Sequence, residues 1–310
     1  MSTTDAAPAA TTGQFRLVLG AGLITTTLAL LGVYLVNAYA GENIMGWYAN
    51  YVIPVGAILV GLVAASGYGL ASWFAGVKVT RILLVTIVVL QVAAYFAAQY
   101  IEYANLPAEV REKASFWEYF DLVTRSFKFK GRDGQWGPEV GAWGYGLRAL
   151  EIVGFVLGSL IVPIVLWKKP YCNACHTYFR TRSLGLLPAG PPMKKLKKKD
   201  AEGQAAYAKE KEQTWAAGAA LLATLTGHAT GGRAEEFRAL LAEHAPKAKQ
   251  KEYGKLTRRI VLTASHCPRC HVGFLKATAL AGQGKQMRQT PLGQAALGPG
   301  FVRTAILERK

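Results

Sequence analysis

The sequence lacks the motifs that most often identify a catalytic site. No Ser-His-Asp arrangement, phosphate-binding loop or His-Glu-x-x-His pattern can be read in its 310 residues. Residues 1–13 are polar and have no charged segment leading into a short apolar core, so we expect no cleavable signal peptide. The absence of a catalytic motif favours a non-enzymatic protein.

Acidic residues are also scarce, and the scarcity is confined to one half of the chain. Residues 1–167 contain ten Lys or Arg and ten Asp or Glu, whereas residues 168–310 contain 26 and 9, so the second half carries the whole formal charge of +17 (26 − 9). Anionic lipid headgroups attract such a domain by about 1 kcal/mol for each basic residue near the surface. Nucleic acid is a less favoured partner, and a basic face that only keeps the domain soluble fits the charge equally well.

Long apolar runs fill most of the first half. About 20 helical residues cross a bilayer, and four runs reach that length, which predicts a transmembrane domain over residues 15–167 after a disordered tail at residues 1–14. The predicted spans are residues 16–39, 51–75, 81–103 and 147–167. In the loop at residues 104–146, Ser115 and Glu118 form a capping box that predicts an amphipathic, aromatic-rich helix on the membrane surface. The alternative is that this loop is a docking surface for another subunit.

Small residues recur at helical spacing in two of these spans. They predict a close approach between helices, either within the chain or in a homo-oligomer. The positions are Gly61, Ala65 and Gly69 in the second span, and Gly154 and Gly158 in the fourth.

Polar residues form a stripe on the third span. Its members are Gln91, Tyr95, Gln99 and either Glu102 or Tyr103. We interpret the stripe as hydrogen bonding between helices, with the path of a small transporter or channel as the alternative.

In the first turn of the fourth span, Arg148 and Glu151 are close enough in sequence to pair.

The second half mixes helical and strand patterns. Helices are predicted at residues 201–226 and 234–244, and strands at residues 176–187, 255–265 and 271–280. The basic, proline-marked run at residues 189–200 is predicted to be a mobile linker. The last thirty residues are predicted to be irregular, apart from a short strand at residues 301–307.

The four cysteines form the most specific pattern in the chain. They lie in two pentapeptides, CNACH at residues 172–176 and CPRCH at residues 267–271. A Cys-x-x-Cys turn aims two thiols at one tetrahedral metal ion, and two turns complete a four-sulfur zinc site. Four sulfurs leave no open position for catalysis, and no thioredoxin-like βαβ pattern supports a redox pair. We therefore expect one structural zinc held by Cys172, Cys175, Cys267 and Cys270.

This part of the chain resembles the zinc-ribbon superfold, in which two Cys-x-x-Cys knuckles on β-hairpins share one zinc. The resemblance covers residues 170–187 and 260–280 and implies that the four cysteines are the ligands. The 91 residues between the knuckles exceed the usual spacing, so the two predicted helices are expected to form an inserted subdomain. The predicted fold is a membrane protein of four transmembrane helices followed by a small α+β zinc-ribbon-like domain with a helical insertion, over residues 168–310.

Each pentapeptide ends in histidine, and Cys-x-x-Cys-His is also the attachment motif of c-type haem. On this alternative the chain is a membrane electron-transfer protein with two covalent haems. The attachment residues are Cys172, Cys175 and His176 for one haem and Cys267, Cys270 and His271 for the other, with His228, His244 and His266 as candidate distal ligands.

Four spans place both termini on one side of the membrane. If that side is the cytoplasm, the short inner segments are basic and the first outer loop has no Lys or Arg, although the second outer loop has six. Reduced thiolates suit the cytosol, whereas c-type haem is attached on the extracytoplasmic side. The sequence favours a bacterial-type inner-membrane protein with cytoplasmic termini that acts as an interaction or scaffold subunit, or as an assembly factor of a membrane complex.

Overall fold

The computed structural model describes residues 12–50, 52–129, 135–194, 200–245, 249–282 and 287–308. The predicted disordered tail up to residue 11 and residues 195–199 of the predicted linker lie outside the described residues. The first helix begins at Thr12, so the last three residues of the predicted tail are helical. The chain divides into two compact units, Met1–Lys169 with His176–Tyr178, and Pro170–Cys175 with Phe179–Lys310.

Four long apolar helical segments make up most of the first unit in the described part of the chain, and each is long and apolar enough to cross a membrane. The first is α1 (Thr12–Ala40), and the second consists of α2 (Val55–Ala64) and α3 (Ser66–Phe74). The third and fourth are α4 (Arg81–Ala104) and α7 (Gly144–Trp167), and α5 (Ala108–Arg111) and α6 (Phe116–Arg125) lie between them.

Helix α6 begins at the capping box that the sequence predicts. The Ser115 hydroxyl accepts the Glu118 backbone N–H, and the Glu118 carboxylate accepts the Ser115 backbone N–H at 2.7 Å. These bonds satisfy donors that a helix start otherwise leaves unpaired. Phe116 packs edge-on against Tyr100 of α4, with 5.5 Å between ring centroids, so α6 is attached to the third span through aromatic side chains.

The second span is interrupted at Ala65, and helix α1 pairs the polar backbone groups at the break. The Ala64 carbonyl accepts hydrogen bonds from the hydroxyls of Thr25 and Thr26 at 2.8 and 3.0 Å. The Gly67 backbone N–H donates to the Thr25 hydroxyl at 3.1 Å. Because lipid offers no hydrogen-bond partners, irregular backbone within a membrane requires such pairing by protein groups.

Small residues bring the backbones of α2 and α7 into contact. A Cβ atom at Gly61 would overlap the backbone of Phe155, and one at Gly158 would overlap the backbone of Ile58. The Ser159 hydroxyl donates to the Gly61 carbonyl at 3.0 Å. The predicted close approach is therefore present within the chain, while a homo-oligomer stays a prediction.

A four-stranded antiparallel sheet organises the second unit. Its strands lie in the order β3 (Arg180–Pro188), β4 (Arg258–His266), β5 (Gly273–Ala281) and β6 (Arg288–Leu297). Two shorter strands, β1 (Tyr171–Cys172) and β2 (Thr177–Tyr178), flank the first pentapeptide. The segment between β3 and β4 contains α8 (Ala201–Thr230), α9 (Ala234–His244) and α10 (Gln250–Tyr253).

One face of the sheet carries the core of the second unit. Ile260 and Leu262 alternate on β4 and are fully buried, and they belong to the same apolar cluster as Phe237 and Leu241 of α9. Their period of two matches a strand with one buried face. The strands predicted around the second pentapeptide are present as β4 and β5, and the helix predicted at residues 234–244 is α9.

The predictions for the end of the chain are wrong. Strand β6 occupies residues expected to be irregular, and the expected strand at residues 301–307 is helical, as α11 (Pro299–Phe301) and a π-helical turn (Val302–Leu307). Pro291 and Gly293 weaken the strand pattern of β6, but a strand at the edge of a sheet tolerates proline. The buried residues of the last turn fit a helical period rather than an alternation; they are Phe301, Val302, Ala305 and Ile306.

The contact between α2 and α7 predicts a strong difference between two glycines. We expect Gly61→Ala to destabilise the detergent-solubilised chain by about 2 kcal/mol, because the added methyl group must push two helices apart. Gly32→Ala is the control, because no atom lies within 4 Å of its Cβ position, and we expect it to leave the melting temperature unchanged or slightly higher. Equal melting temperatures for the two variants would contradict the described packing.

Candidate metal centre

Strand register brings both Cys-x-x-Cys turns to one end of the large sheet. Arg180 at the start of β3 pairs with His266 at the end of β4, which pairs in turn with Gly273 at the start of β5. The turn at residues 267–270 therefore connects β4 to β5 at the end of the sheet where β3 begins. The first turn ends at Cys175, five residues before β3.

The four thiols converge on one point. The sulfur atoms of Cys172, Cys175, Cys267 and Cys270 all lie within 4.8 Å of one another, and those of Cys172 and Cys270 are 3.8 Å apart. Zinc–sulfur bonds of about 2.3 Å place the sulfurs of a tetrahedral site about 3.8 Å apart, so the group has the dimensions of a zinc site. Cys267 is fully buried, and Cys175 and Cys270 are half-buried.

Backbone N–H groups lie near three of the sulfurs. The Arg269 N–H donates to Cys267 Sγ with 3.4 Å between nitrogen and sulfur. The Cys175 N–H near the Cys172 sulfur and the Val272 N–H near the Cys270 sulfur favour the ionised form of each thiol. Donors of this kind stabilise thiolates, which are the form that binds a metal.

The thiol pKa values differ according to these contacts. The Val272 N–H lowers the pKa of Cys270 to about 7, because it stabilises the ionised sulfur. The thiol of Cys175 shares a hydrogen bond with Cys270, which raises the pKa of Cys175 to about 12. Burial raises the pKa of Cys172. A divalent metal at the four sulfurs would stabilise their ionised forms.

The backbone explains why both pentapeptides end in histidine. His176 and His271 have φ angles of 49° and 59°, and among the described residues the only other non-glycine with positive φ is Asn50. The His271 N–H donates to the Cys267 carbonyl at 3.0 Å and closes the turn. Among non-glycine residues, histidine and asparagine are enriched in this left-handed conformation. The repeated histidine therefore has a conformational role in the turn that the sequence pattern alone did not reveal.

The remaining histidines lie at the ends of regular elements. His228 and His244 are in the last turns of α8 and α9, within the helical insertion. His266 directly precedes Cys267 and is 2% exposed. Burial, followed by the positive charge of Arg182, lowers the pKa of His266.

Sequence reasoning missed one residue that joins the two turns. The guanidinium group of Arg269, in the second turn, donates to the Cys175 carbonyl of the first turn at 3.1 Å. This contact spans 94 residues of sequence, and no local pattern indicates it. The two turns are therefore joined by the Arg269 hydrogen bond to a backbone carbonyl, in addition to the convergence of their sulfur atoms.

No protein-family model, curated protein or solved structure matches the chain, so the geometry of the site alone supports its assignment.

The left-handed conformation at His271 predicts an unusual order of stabilities. Because glycine adopts positive φ without steric cost, we expect His271→Gly to retain the stability of the metal-loaded chain. His271→Val should lower it by about 1–2 kcal/mol, because a β-branched residue is strained in this conformation. Thermal unfolding of the two variants measures the difference. A larger loss for the glycine variant would show that the imidazole itself holds the site.

Proposed function

We propose that this chain is a non-enzymatic, membrane-anchored interaction or scaffold protein, acting as a subunit or assembly factor of a membrane complex. Its second unit is a zinc-ribbon-like domain closed by one structural zinc ion on Cys172, Cys175, Cys267 and Cys270. The observation that carries the proposal is the convergence of four sulfurs at the spacing of tetrahedral zinc. Four protein ligands leave no coordination position for a substrate, so the metal would contribute folding free energy rather than catalysis.

Two observations weigh against the alternative of two c-type haems. The thiols of the two pentapeptides lie within 4.8 Å of one another, whereas each haem would need its own pair of thiols spread along a porphyrin edge. The terminal histidines also occupy turn positions that favour their residue type for conformational reasons. A single zinc ion explains the sulfur geometry without further assumptions.

Charge and redox chemistry support a cytoplasmic position for the second unit. The net charge of residues 168–310 is +17 (26 − 9), which favours a surface rich in anionic lipid headgroups such as the inner leaflet of a bacterial-type inner membrane. A four-sulfur zinc site needs reduced cysteines, and reduced thiols persist in the cytosol. Both termini would then lie in the cytoplasm, with a partner protein rather than nucleic acid as the favoured target.

The metal content of the purified full chain tests the site. We expect one zinc per chain by elemental analysis, and no haem absorption remaining with the denatured polypeptide. Cys267→Ser should lose the zinc and expose the second unit to protease, because removal of one ligand from a structural site removes most of the binding free energy. The matched control, His244→Ala, changes a half-exposed residue in the insertion and should keep both the zinc and the protease resistance.

Zinc retained at full occupancy by the Cys267→Ser variant would contradict the four-sulfur assignment. A covalently bound haem would also contradict this assignment and would support the electron-transfer alternative.

The interaction role predicts a complex that depends on the folded second unit. After extraction in mild detergent, we expect the wild-type chain to co-purify with a protein partner in a fixed ratio. The Cys267→Ser variant should lose this partner while remaining in the membrane fraction, because the four apolar helical segments of the first unit are unchanged. A wild-type chain that behaves as an isolated polypeptide, or a partner retained equally by the variant, would contradict a scaffold role for this unit.

A further inference from the structure

Three ionisable side chains are buried together within the first unit. Glu102 lies near the end of α4, and Arg148 and Glu151 lie near the start of α7; their exposed fractions are 8%, 7% and 1%. A buried charge is costly unless it is paired and hydrogen-bonded. The pairing within this group therefore determines which of the three can carry a charge.

Glu151 is fully paired. Its Oε2 accepts hydrogen bonds from Arg148 Nη1 at 2.8 Å and from the Tyr95 hydroxyl at 2.7 Å. Its Oε1 accepts the Tyr48 hydroxyl at 2.9 Å. The predicted local pair of Arg148 and Glu151 is present, and together the two residues are electrically neutral.

Glu102 has no equivalent counter-ion. Within the described ranges, no basic nitrogen lies within ion-pair distance of its carboxylate. The guanidinium of Arg148 is bonded to Glu151 instead. Its Oε1 also lacks any hydrogen-bond partner there, as does the amide nitrogen of Gln99 one turn earlier. The side-chain amide of Asn43 lies near the Glu102 carboxyl group, but it carries no charge.

The other elements around Glu102 bring no further positive charge. Helix α7 contributes the neutral pair of Arg148 and Glu151, and α6 contributes the phenol of Tyr119. An ionised Glu102 would therefore leave one uncompensated negative charge in an apolar bundle. A neutral carboxylic acid avoids this cost.

We propose that Glu102 is a proton-binding site of the membrane unit. Its carboxylate takes one proton from water and becomes a neutral carboxylic acid, and the reverse step returns the proton. Glu102 lies two residues before the end of α4 at Ala104, so exchange occurs from the side of the loop that follows α4. This property goes beyond anchoring, because it couples the helical bundle to the pH on that side.

A proton fits this position better than a metal cation. Hard cations such as Ca²⁺ and Mg²⁺ need about six or more oxygen ligands, whereas the position offers one carboxyl group beside an amide nitrogen. A proton needs only the free carboxylate oxygen.

Dicyclohexylcarbodiimide tests the proposal on the full chain in lipid vesicles, because it reacts with protonated carboxyl groups in apolar surroundings. We expect one adduct per chain, mapped to Glu102 by peptide mass spectrometry. Labelling should fall as the pH rises from about 5 to about 9, the range in which a buried carboxyl group titrates. Glu102→Gln should abolish it, and Glu112→Gln, in the exposed loop after α5, should leave it unchanged.

Several outcomes would overturn the proposal. They are an absence of labelling at low pH, an adduct on Glu151 in place of Glu102, and protection by Na⁺ at constant pH, which would show that a metal cation occupies the position. If Glu102→Gln does not assemble, infrared spectroscopy of the wild-type chain gives an independent measurement. A carboxylic acid band that disappears on alkalinisation supports the proton site, and its absence at neutral pH overturns it.

Discussion

The fold of the second unit depends on the contact between its two Cys-x-x-Cys turns, which are separated by 91 residues of sequence. Strands β3 and β4 pair across the entire helical insertion, so the sheet cannot form until this long segment is closed. Each doubling of a flexible loop costs only about 0.6 kcal/mol, while a structural zinc site contributes on the order of 10 kcal/mol or more. A metal at the four sulfurs would therefore outweigh the cost of the insertion by a wide margin.

A different constraint would govern the first unit in a membrane, where lipid would replace water around the helices. The break at Ala65 is accommodated because two threonines of α1 pair its backbone groups. The contact of α2 with α7 relies on glycine, since direct backbone contact leaves no space for a side chain. The same requirement makes an ionised Glu102 costly, because one of its buried oxygens has no partner in the described structure.

Local sequence patterns predicted the features that depend on neighbouring residues. The four apolar segments, the capping box at Ser115 and the two Cys-x-x-Cys turns all follow from spacing within one helix or one turn. The convergence of the turns was expected from the two Cys-x-x-Cys spacings, but their position at one end of the sheet follows from the register of β3 with β4, which no local pattern encodes. The bond of Tyr48 to Glu151 spans 103 residues and was missed for the same reason.

The errors at the end of the chain have a related cause. Pro291 weakened the strand signal of β6, yet the residue is tolerated because β6 is an edge strand. The repeated histidine was the strongest argument for haem, and its left-handed backbone conformation could not be read from the sequence. Both features depend on tertiary structure or backbone conformation that local composition does not encode.

X-ray absorption at the zinc edge of the purified full chain measures the ligands of the metal. We expect a first shell of four sulfur atoms at about 2.3 Å, with no nitrogen or oxygen ligand. A shell that contains nitrogen or oxygen, or a chain that carries iron in place of zinc, would contradict it.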